Sequence, residues 1–286
     1  MQQIKVQTPA KINLTLEILG KRPDGFHNIQ SIMHTISLCD FLTFRMEDCN
    51  EEKNIILLKG TSHQIPYDDK NIVFKAINLY LQTVGVSSKK IEVFIEKNIP
   101  VSAGLAGGST NASGAFLALN ELFDRKLDNK QLHMLASQLG SDLNFCLNGG
   151  CALCTGRGEI IESLPFIDFE LSLIKPKNIG ISAKEAYQKY ALLQDKTFPD
   201  NTLKLRKLLE ENRIFDKSLI YNSLEKAILP AYESLQKIKN KVPSSLMSGS
   251  GSTFFVIEDK FGEEWALDDF DIFNNLTSVN YGVKTV

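Results

Sequence analysis

Residues 100–110 read PVSAGLAGGST, and residues 111–123 continue as NASGAFLALNELF. The first stretch sets Gly104, Gly107 and Gly108 among small residues, and the second places Ala112, Ala115, Phe116, Leu119, Leu122 and Phe123 on one helical stripe. Just upstream, KIEVFIEK over residues 90–97 alternates apolar and polar side chains, which is the mark of a strand. The unit is strand, glycine-rich loop, helix. Glycines reach backbone conformations closed to other residues and let a ligand approach their NH groups closely. The unpaired NH groups of a first helical turn, with the positive end of its dipole, favour an anion there. The loop is therefore a candidate phosphate site. Ser109 and Thr110 are candidate caps of the helix, and their hydroxyls also suit phosphate or a phosphate-bound metal. The spacing matches neither GxxxxGK[ST] nor GxGxxG, which excludes a Walker A loop and the dinucleotide and protein-kinase loops. On the loop alone, nucleotide phosphate and plain turn-and-packing duty stand level.

Composition narrows the setting. The chain has 286 residues, 43% hydrophobic and 23% charged, in the range of a folded globular protein. At roughly 150 residues per domain this length predicts about two domains or one large α/β unit; for two, the boundary falls near Ser163–Asp168 and gives residues 1–163 and 164–286. Lys and Arg number 32 against 34 Asp and Glu, a net charge of −2, so no bulk field draws the chain to nucleic acid or an anionic membrane. Cys39, Cys49, Cys146, Cys151 and Cys154 are too few and too uneven for a framework of bridges. The opening MQQIKVQTPAKINL lacks a basic start followed by a long apolar stretch, and no apolar run approaches the roughly 18 residues of a membrane span. Together these predict a cytoplasmic protein without a membrane or nucleic-acid partner; oligomeric state is not legible.

Near the N-terminus, Ile12, Leu14, Leu16 and Ile18 alternate with Asn13, Thr15 and Glu17, predicting a strand with one buried face. Lys11, Asn13 and Thr15 then share its polar side, which by itself reads equally well as a solvated outer face. Arg22, Pro23, Asp24 and Gly25 predict a turn. Further strands are expected over 31–46 and 54–59, and a helix over 71–84. Residues 129–139 read as a helix closed by Gly140, after which Asp142 is placed to cap a short helix. In the second half, Ser182 and Glu185 resemble a capping box, helices are expected over 202–212 and 222–241, the latter bent or interrupted at Pro230, and residues 254–257 read as a strand.

Three motifs carry a resemblance. PVSAGLAGGSTNA (100–112) is similar to the second motif of the GHMP kinases, and SGSGSTFF (248–255) resembles their third. PAKINLTLEILGKRPDGFHNIQSI (9–32) resembles the members that act on 4-diphosphocytidyl-2-C-methyl-D-erythritol, and GSDLNFCLNGGCALCTGRGE (140–159) extends the match in order. The resemblance implies an α+β, two-domain GHMP kinase fold, with an N-terminal domain like domain 2 of ribosomal protein S5, a ferredoxin-like C-terminal domain and a cleft between them. It implies transfer of the γ-phosphate of ATP to the 2-hydroxyl of that substrate, a step of the non-mevalonate (MEP) route to isoprenoid precursors, with Mg²⁺ entering beside ATP.

It also implies roles. Asp142 matches the base that receives the hydroxyl proton, and Lys11 matches the catalytic lysine beside it. An Asp at its ordinary value of about 3.9 is a weak base for an alcohol, so the proton would leave late, as phosphoryl transfer proceeds. Pro100, Val101, Ser102, Ala103, Gly104, Leu105, Ala106, Gly107, Gly108, Ser109 and Thr110 would receive ATP, with Asn71 and Lys97 on the nucleoside side. Asn13 would hold the substrate, Phe26 would stack on the cytosine, His27 would bond its edge, and Tyr187 would form the opposite wall. Phe26 stands where the resembling kinases often have Tyr, Asn144 where Pro is usual and Thr110 where Ser is usual. Cys151 and Cys154, three apart on a strand, face opposite sides and read as structural; no protein metal ligand is identified.

Two other readings compete. A different GHMP kinase, such as one of the mevalonate pathway, is disfavoured by the DGFH segment; a silent binder or nucleic-acid module is disfavoured by Lys11 with Asp142 and by the charge balance.

Overall fold

The structure is a computed structural model and describes residues 1–265 and 269–286. β1 (Gln2–Asn13), β2 (Thr15–Lys21), β3 (His27–Asp48) and β4 (Ile55–Gly60) precede α1 (Ile72–Val84). β5 (Lys89–Glu96), α2 (Gly107–Leu122), α3 (Asn129–Leu139) and α4 (Leu143–Asn148) follow, then β6 (Cys151–Gly156) and β7 (Ile160–Ser163). Next come β8 (Glu170–Pro176), α5 (Ala183–Ala191), α6 (Asn201–Glu210), β9 (Tyr221–Asn222), α7 (Glu225–Ile228) and α8 (Glu233–Lys241). β10 (Leu246–Met247), β11 (Phe254–Ile257), β12 (Phe270–Thr277) and β13 (Lys284–Thr285) complete the chain.

The long β3 organises the first sheet, pairing antiparallel with β1, β2, β5 and β6 along its length. Two late strands return to this sheet: β9 lies parallel to β2, and β13 antiparallel to β1. The second sheet runs β10-β11-β8-β12 with antiparallel pairing throughout. One apolar core packs α1, α2 and α3 on the first sheet through Phe44, Tyr80, Phe116 and Leu135. A second lies between the sheets, where Ala10, Ile12, Leu14 and Ile32 meet Leu171, Leu173, Leu205 and Phe255. A third joins Leu16, Ile18 and Ile29 to α5, α7 and α8.

The N-terminal strand departs from its sequence reading. It is two strands that break at Leu14, and residues 8–18 are buried on both faces. The register of β1 against β3 shifts between Pro9 and Ala10, and even-numbered side chains change faces there. Val6 and Thr8 pack toward α2, where a methyl group on Gly114 would lie 2.5 Å from Thr8 Cγ2. Ala10, Ile12 and Leu14 instead join the core between the sheets. Lys11 and Asn13 are thereby turned to the helical side, and the face that sequence left open as solvated is covered. A bulge that re-aims side chains in this way is common beside functional sites.

Other differences are local. The helix expected over 222–241 is divided into β9, α7, a 3₁₀ turn over Leu229–Ala231 and α8; Pro230, which has no NH and whose ring clashes with the preceding turn, accounts for the interruption between α7 and α8. Gly140 closes α3 with an extended φ of 175°, outside the left-handed region. Ser182 caps α5 by accepting from Glu185 N at 3.1 Å, whereas the Glu185 carboxylate accepts from the Tyr232 hydroxyl and not from the cap. Among the described residues no helix is long and apolar enough to cross a membrane.

His34 is buried between the rings of Phe166 and Phe169, each 5.0 Å away, with Nδ1 3.0 Å from Thr35 O. Burial pulls its pKa down to about 4 despite the nearby Asp168. The unfolded chain, with His near 6.5, binds this proton first, so stability falls as pH drops from about 6.5 toward 4. His34 contributes up to about 3 kcal/mol to that fall. His34→Gln is expected to flatten the pH dependence of urea-unfolding free energy between pH 6.5 and 5; an unchanged slope refutes this.

Candidate active site

The glycine-rich loop is fixed from several directions. Lys11 N donates to Leu105 O at 3.2 Å, Ile181 N to Ser102 O at 3.2 Å, and Thr253 N to Ala103 O at 3.3 Å. Ser248 Oγ donates to Gly104 O at 3.0 Å. Gly104 has a φ of +75°, and a methyl group there would lie 2.0 Å from Ser248 O, so only glycine lets the two loops meet. Ala103 and Leu105 point into the core between the sheets rather than toward a ligand. Pro100 and Val101, with Lys97, Lys175 and Lys177, line an adjoining cavity of about 200 Å³.

α2 starts at Gly107 behind Ala106, which enters with a φ of +57° and no side-chain cap. Ser109 and Thr110 therefore lie within the first turn and do not cap the helix, contrary to the sequence reading, because the left-handed Ala106 occupies the cap position. The NH groups of that turn face the loop without a capping side chain, as an anion site requires. Thr110 is fully buried beside the Cys146 thiol, its hydroxyl without a conventional hydrogen-bond partner.

Lys97 lies beneath this turn: a methyl group on Gly107 would lie 2.7 Å from its Nζ. It forms a buried ion pair with Asp40, whose other oxygen accepts from Asn98 N and Ile99 N at 2.7 and 2.8 Å. Burial lowers the Lys97 pKa, and Asp40 opposes that shift. Asn71 caps α1, accepting from Val73 N at 2.9 Å and donating to Pro66 O at 2.6 Å. Its neighbour Ile72 borders the loop, 3.6 Å from a methyl group placed on Gly108.

Lys11 and Asp142 meet as expected. Lys11 Nζ is 3.6 Å from Asp142 Oδ2 and donates to Asn13 Oδ1 at 2.7 Å; Asn13 Nδ2 donates in turn to Ser31 Oγ at 2.8 Å. Asp142 opens α4 but makes no side-chain cap, so its carboxylate is left for the amine and for a ligand. Above them sits Gly249, with a φ of +53°; a methyl group there would lie 3.2 Å from Lys11 Nζ and 3.3 Å from Asn13 Oδ1. Asn222, on β9 beside β2, donates to Met247 O at 2.7 Å and Gly249 O at 2.8 Å. Glu225 accepts from Met247 N at 2.9 Å. These two side chains hold the third glycine-rich segment over the lysine. Sequence reading missed both, because no local pattern marks an Asn or a Glu whose partners lie more than twenty residues away.

On the opposite side, His27 stacks on Tyr187 with ring centres 5.1 Å apart and planes at 18°. Burial, with Lys21 and Lys196 nearby, lowers the His27 pKa. Burial, with Asp142 as a second cause, raises that of Tyr187. Phe26 is half exposed, and the Arg157 guanidinium lies 5.0 Å from its ring centre. Asn144 donates to Ser137 Oγ at 2.8 Å and Glu159 O at 2.9 Å, bonds that a Pro there could not make. Cys151 and Cys154 pack into different cores, all five thiols are free, and the described residues hold no His/Cys/Asp/Glu cluster fit for a metal.

Comparison with known proteins accords with this arrangement. The GHMP kinases N terminal domain matches residues 71–152. A 4-diphosphocytidyl-2-C-methyl-D-erythritol kinase of Prochlorococcus marinus (strain AS9601) is 37% identical over 276 residues, covering 90% of this chain and 86% of that protein. One from Clostridioides difficile (strain 630) is 37% identical over 262 residues, covering 89% and 86%. The chain belongs to the 4-diphosphocytidyl-2-C-methyl-D-erythritol kinase family. A crystal structure of 4-(cytidine 5'-diphospho)-2C-methyl-D-erythritol kinase superposes with a TM-score of 0.75 at 26% identity, covering 96% of this chain and 100% of that one. Membership makes the chain a kinase of GHMP type, and the two-sheet α+β architecture is the GHMP fold. The alternatives of a silent binder and a nucleic-acid module fall with it.

For a kinase of this family, Gly249→Ala tests the seating of the third motif. It is expected to cost about 1–2 kcal/mol of stability for its left-handed backbone and to reduce turnover at least about tenfold by pushing Lys11 and Asn13. Urea unfolding and steady-state kinetics give the two numbers; wild-type turnover would contradict the contact.

Proposed function

We propose that this chain transfers the γ-phosphoryl group of ATP to the 2-hydroxyl of 4-diphosphocytidyl-2-C-methyl-D-erythritol, within the non-mevalonate route to isoprenoid precursors. The observation that carries the mechanism is the Lys11–Asp142 pair at 3.6 Å, set between the loop at Gly107 and the aromatic group at Phe26, His27 and Tyr187. Phosphoryl transfer asks mainly for positioning and electrostatic stabilisation. ATP phosphates lie at the first turn of α2, with Lys97 beneath, and the nucleoside extends toward Ile72 and the start of α1. Asp142 orients the 2-hydroxyl and takes its proton as transfer proceeds. Lys11, held by Asn13 and Asp142, offsets charge around the moving phosphoryl group. Phe26, His27 and Tyr187 read the cytosine, and residues 1–163 and 164–286 form the two walls of the cleft.

Mg²⁺ fits this site as a companion of ATP. With no acidic cluster among the described residues, it would rely on phosphate oxygens, water and the hydroxyl of Ser109, which suits a small hard cation. When bound it neutralises phosphate charge. The free thiols accord with action in the cytoplasm.

A coupled ADP assay is expected to show turnover with 4-diphosphocytidyl-2-C-methyl-D-erythritol and none with mevalonate, homoserine or galactose; activity on one of the latter would sink the assignment. Asp142→Asn should lower kcat by about 10²–10⁴-fold with ATP binding retained. Turnover near wild type would remove Asp142 as the base. Because burial shifts His27 below its ordinary 6.5, it is predominantly neutral at pH 7, and substrate KM is expected to stay flat between pH 7 and 8 and to rise in acid solution. A rise in KM between pH 7 and 8 would contradict this.

A further inference from the structure

The turn from Gly156 to Glu159 joins β6 to β7 and reaches both ends of the substrate region. At one end, the Arg157 guanidinium lies 5.0 Å from the centre of the Phe26 ring. At the other, a methyl group on Gly158 would lie 3.6 Å from Ser141 Cβ and 3.9 Å from Asp142 Oδ1. The turn is held in place: Arg157 N donates to Glu159 Oε2 at 2.6 Å, Gly158 N to Thr155 O at 2.9 Å, and Asn144 Nδ2 to Glu159 O at 2.9 Å. Glu159 Oε1 stands 3.5 Å from Arg157 Nε, and among the described residues no hydrogen bond reaches either terminal nitrogen of that guanidinium. The neighbouring Arg22 is engaged by Asp24 at 3.0 Å and Asn28 at 3.1 Å, and Lys11 by Asn13 and Asp142.

The proposed substrate is a base, a ribose, a diphosphate and a polyol in that order. Its charged segment must therefore cross the interval between Phe26 and Asp142, the interval that Arg157 and Gly158 span. We propose that Arg157 holds the diphosphate of the nucleotide substrate through its two free terminal nitrogens, an inference that rests on the substrate reading above. The guanidinium fork matches two phosphate oxygens at once, Glu159 pairs with its Nε edge at 3.5 Å, and the Phe26 ring supports its flat face. The base and the anion are then read by one contiguous unit, with Phe26 shared between them.

Titration calorimetry of the full chain with cytidine and with CDP, for wild type, Arg157→Gln and Arg157→Lys, separates the outcomes. Wild type is expected to bind CDP more tightly than cytidine. Arg157→Gln should weaken CDP roughly 10- to 100-fold and leave cytidine within about twofold, with Arg157→Lys between them and the KM for ATP unchanged. A CDP-to-cytidine ratio in Arg157→Gln equal to that of wild type overturns the inference. So does an equal loss of both ligands, which would make Arg157 only a support for Phe26. Wild type that binds neither cytidine compound overturns the substrate reading itself, a result the variants cannot produce.

Discussion

A lysine amine taken out of water must be surrounded by acceptors, and the placement of Lys11 sets the terms for the rest of the site. It is 4% exposed, and its neighbours are Asn13 at 2.7 Å and Asp142 at 3.6 Å, with a bare glycine above. Those groups come from β1, from the start of α4 and from the third glycine-rich segment, three parts of the chain far apart in sequence. Two of them are fixed by further side-chain bonds: Asn13 by Ser31, and Gly249 by Asn222. The backbone of Lys11 also donates to Leu105 O, so the strand that carries the amine holds the glycine-rich loop as well. Removing any one of these ties would leave a buried cation with a partner missing, which is costlier than the loss of an exposed pair.

The register shift at Pro9 explains how one short strand serves two layers. Before it, Val6 and Thr8 pack on α2; after it, alternate residues enter the core between the sheets, and Lys11 and Asn13 face the helices. Without the shift, Ala10, Ile12 and Leu14 would stay in phase with Val6 and turn toward the helices, and Lys11 and Asn13 would face the second sheet. The late strands β9 and β13 reinforce the arrangement, because both add to the sheet that contains Lys11. Contacts between the two sheets are therefore part of the site's construction.

Much of this was legible in the chain because it is local. A strand, a glycine-rich loop and a helix in sequence mark a candidate anion site, and the alternation after Ala10 set Lys11 apart from the apolar face. What was not legible depends on distant packing. Burial of both faces of residues 8–18 needs the second sheet and the helices, which no local pattern displays. Ser109 and Thr110 looked like caps because hydroxyl residues at a helix start usually are; the left-handed Ala106 displaced them. Asn222, Glu225 and Arg157 carried ordinary surface chemistry in sequence, and their meaning comes from the groups they reach.

The near-neutral charge of the chain recurs at the scale of the site. Each of three cations around the cleft is joined to its own carboxylate: Lys11 to Asp142, Lys97 to Asp40 and Arg157 to Glu159. Such pairing lowers the net field that would draw anions from a distance. It also holds each cation in one orientation, so less freedom remains to be lost when a phosphate arrives. In the proposed assignment, a site made this way would recognise polyanions by short-range geometry, through NH groups and oriented cations, and not by accumulated charge. Two ligands as anionic as ATP and a diphosphocytidyl alcohol can then be brought together by a protein whose net charge is only −2.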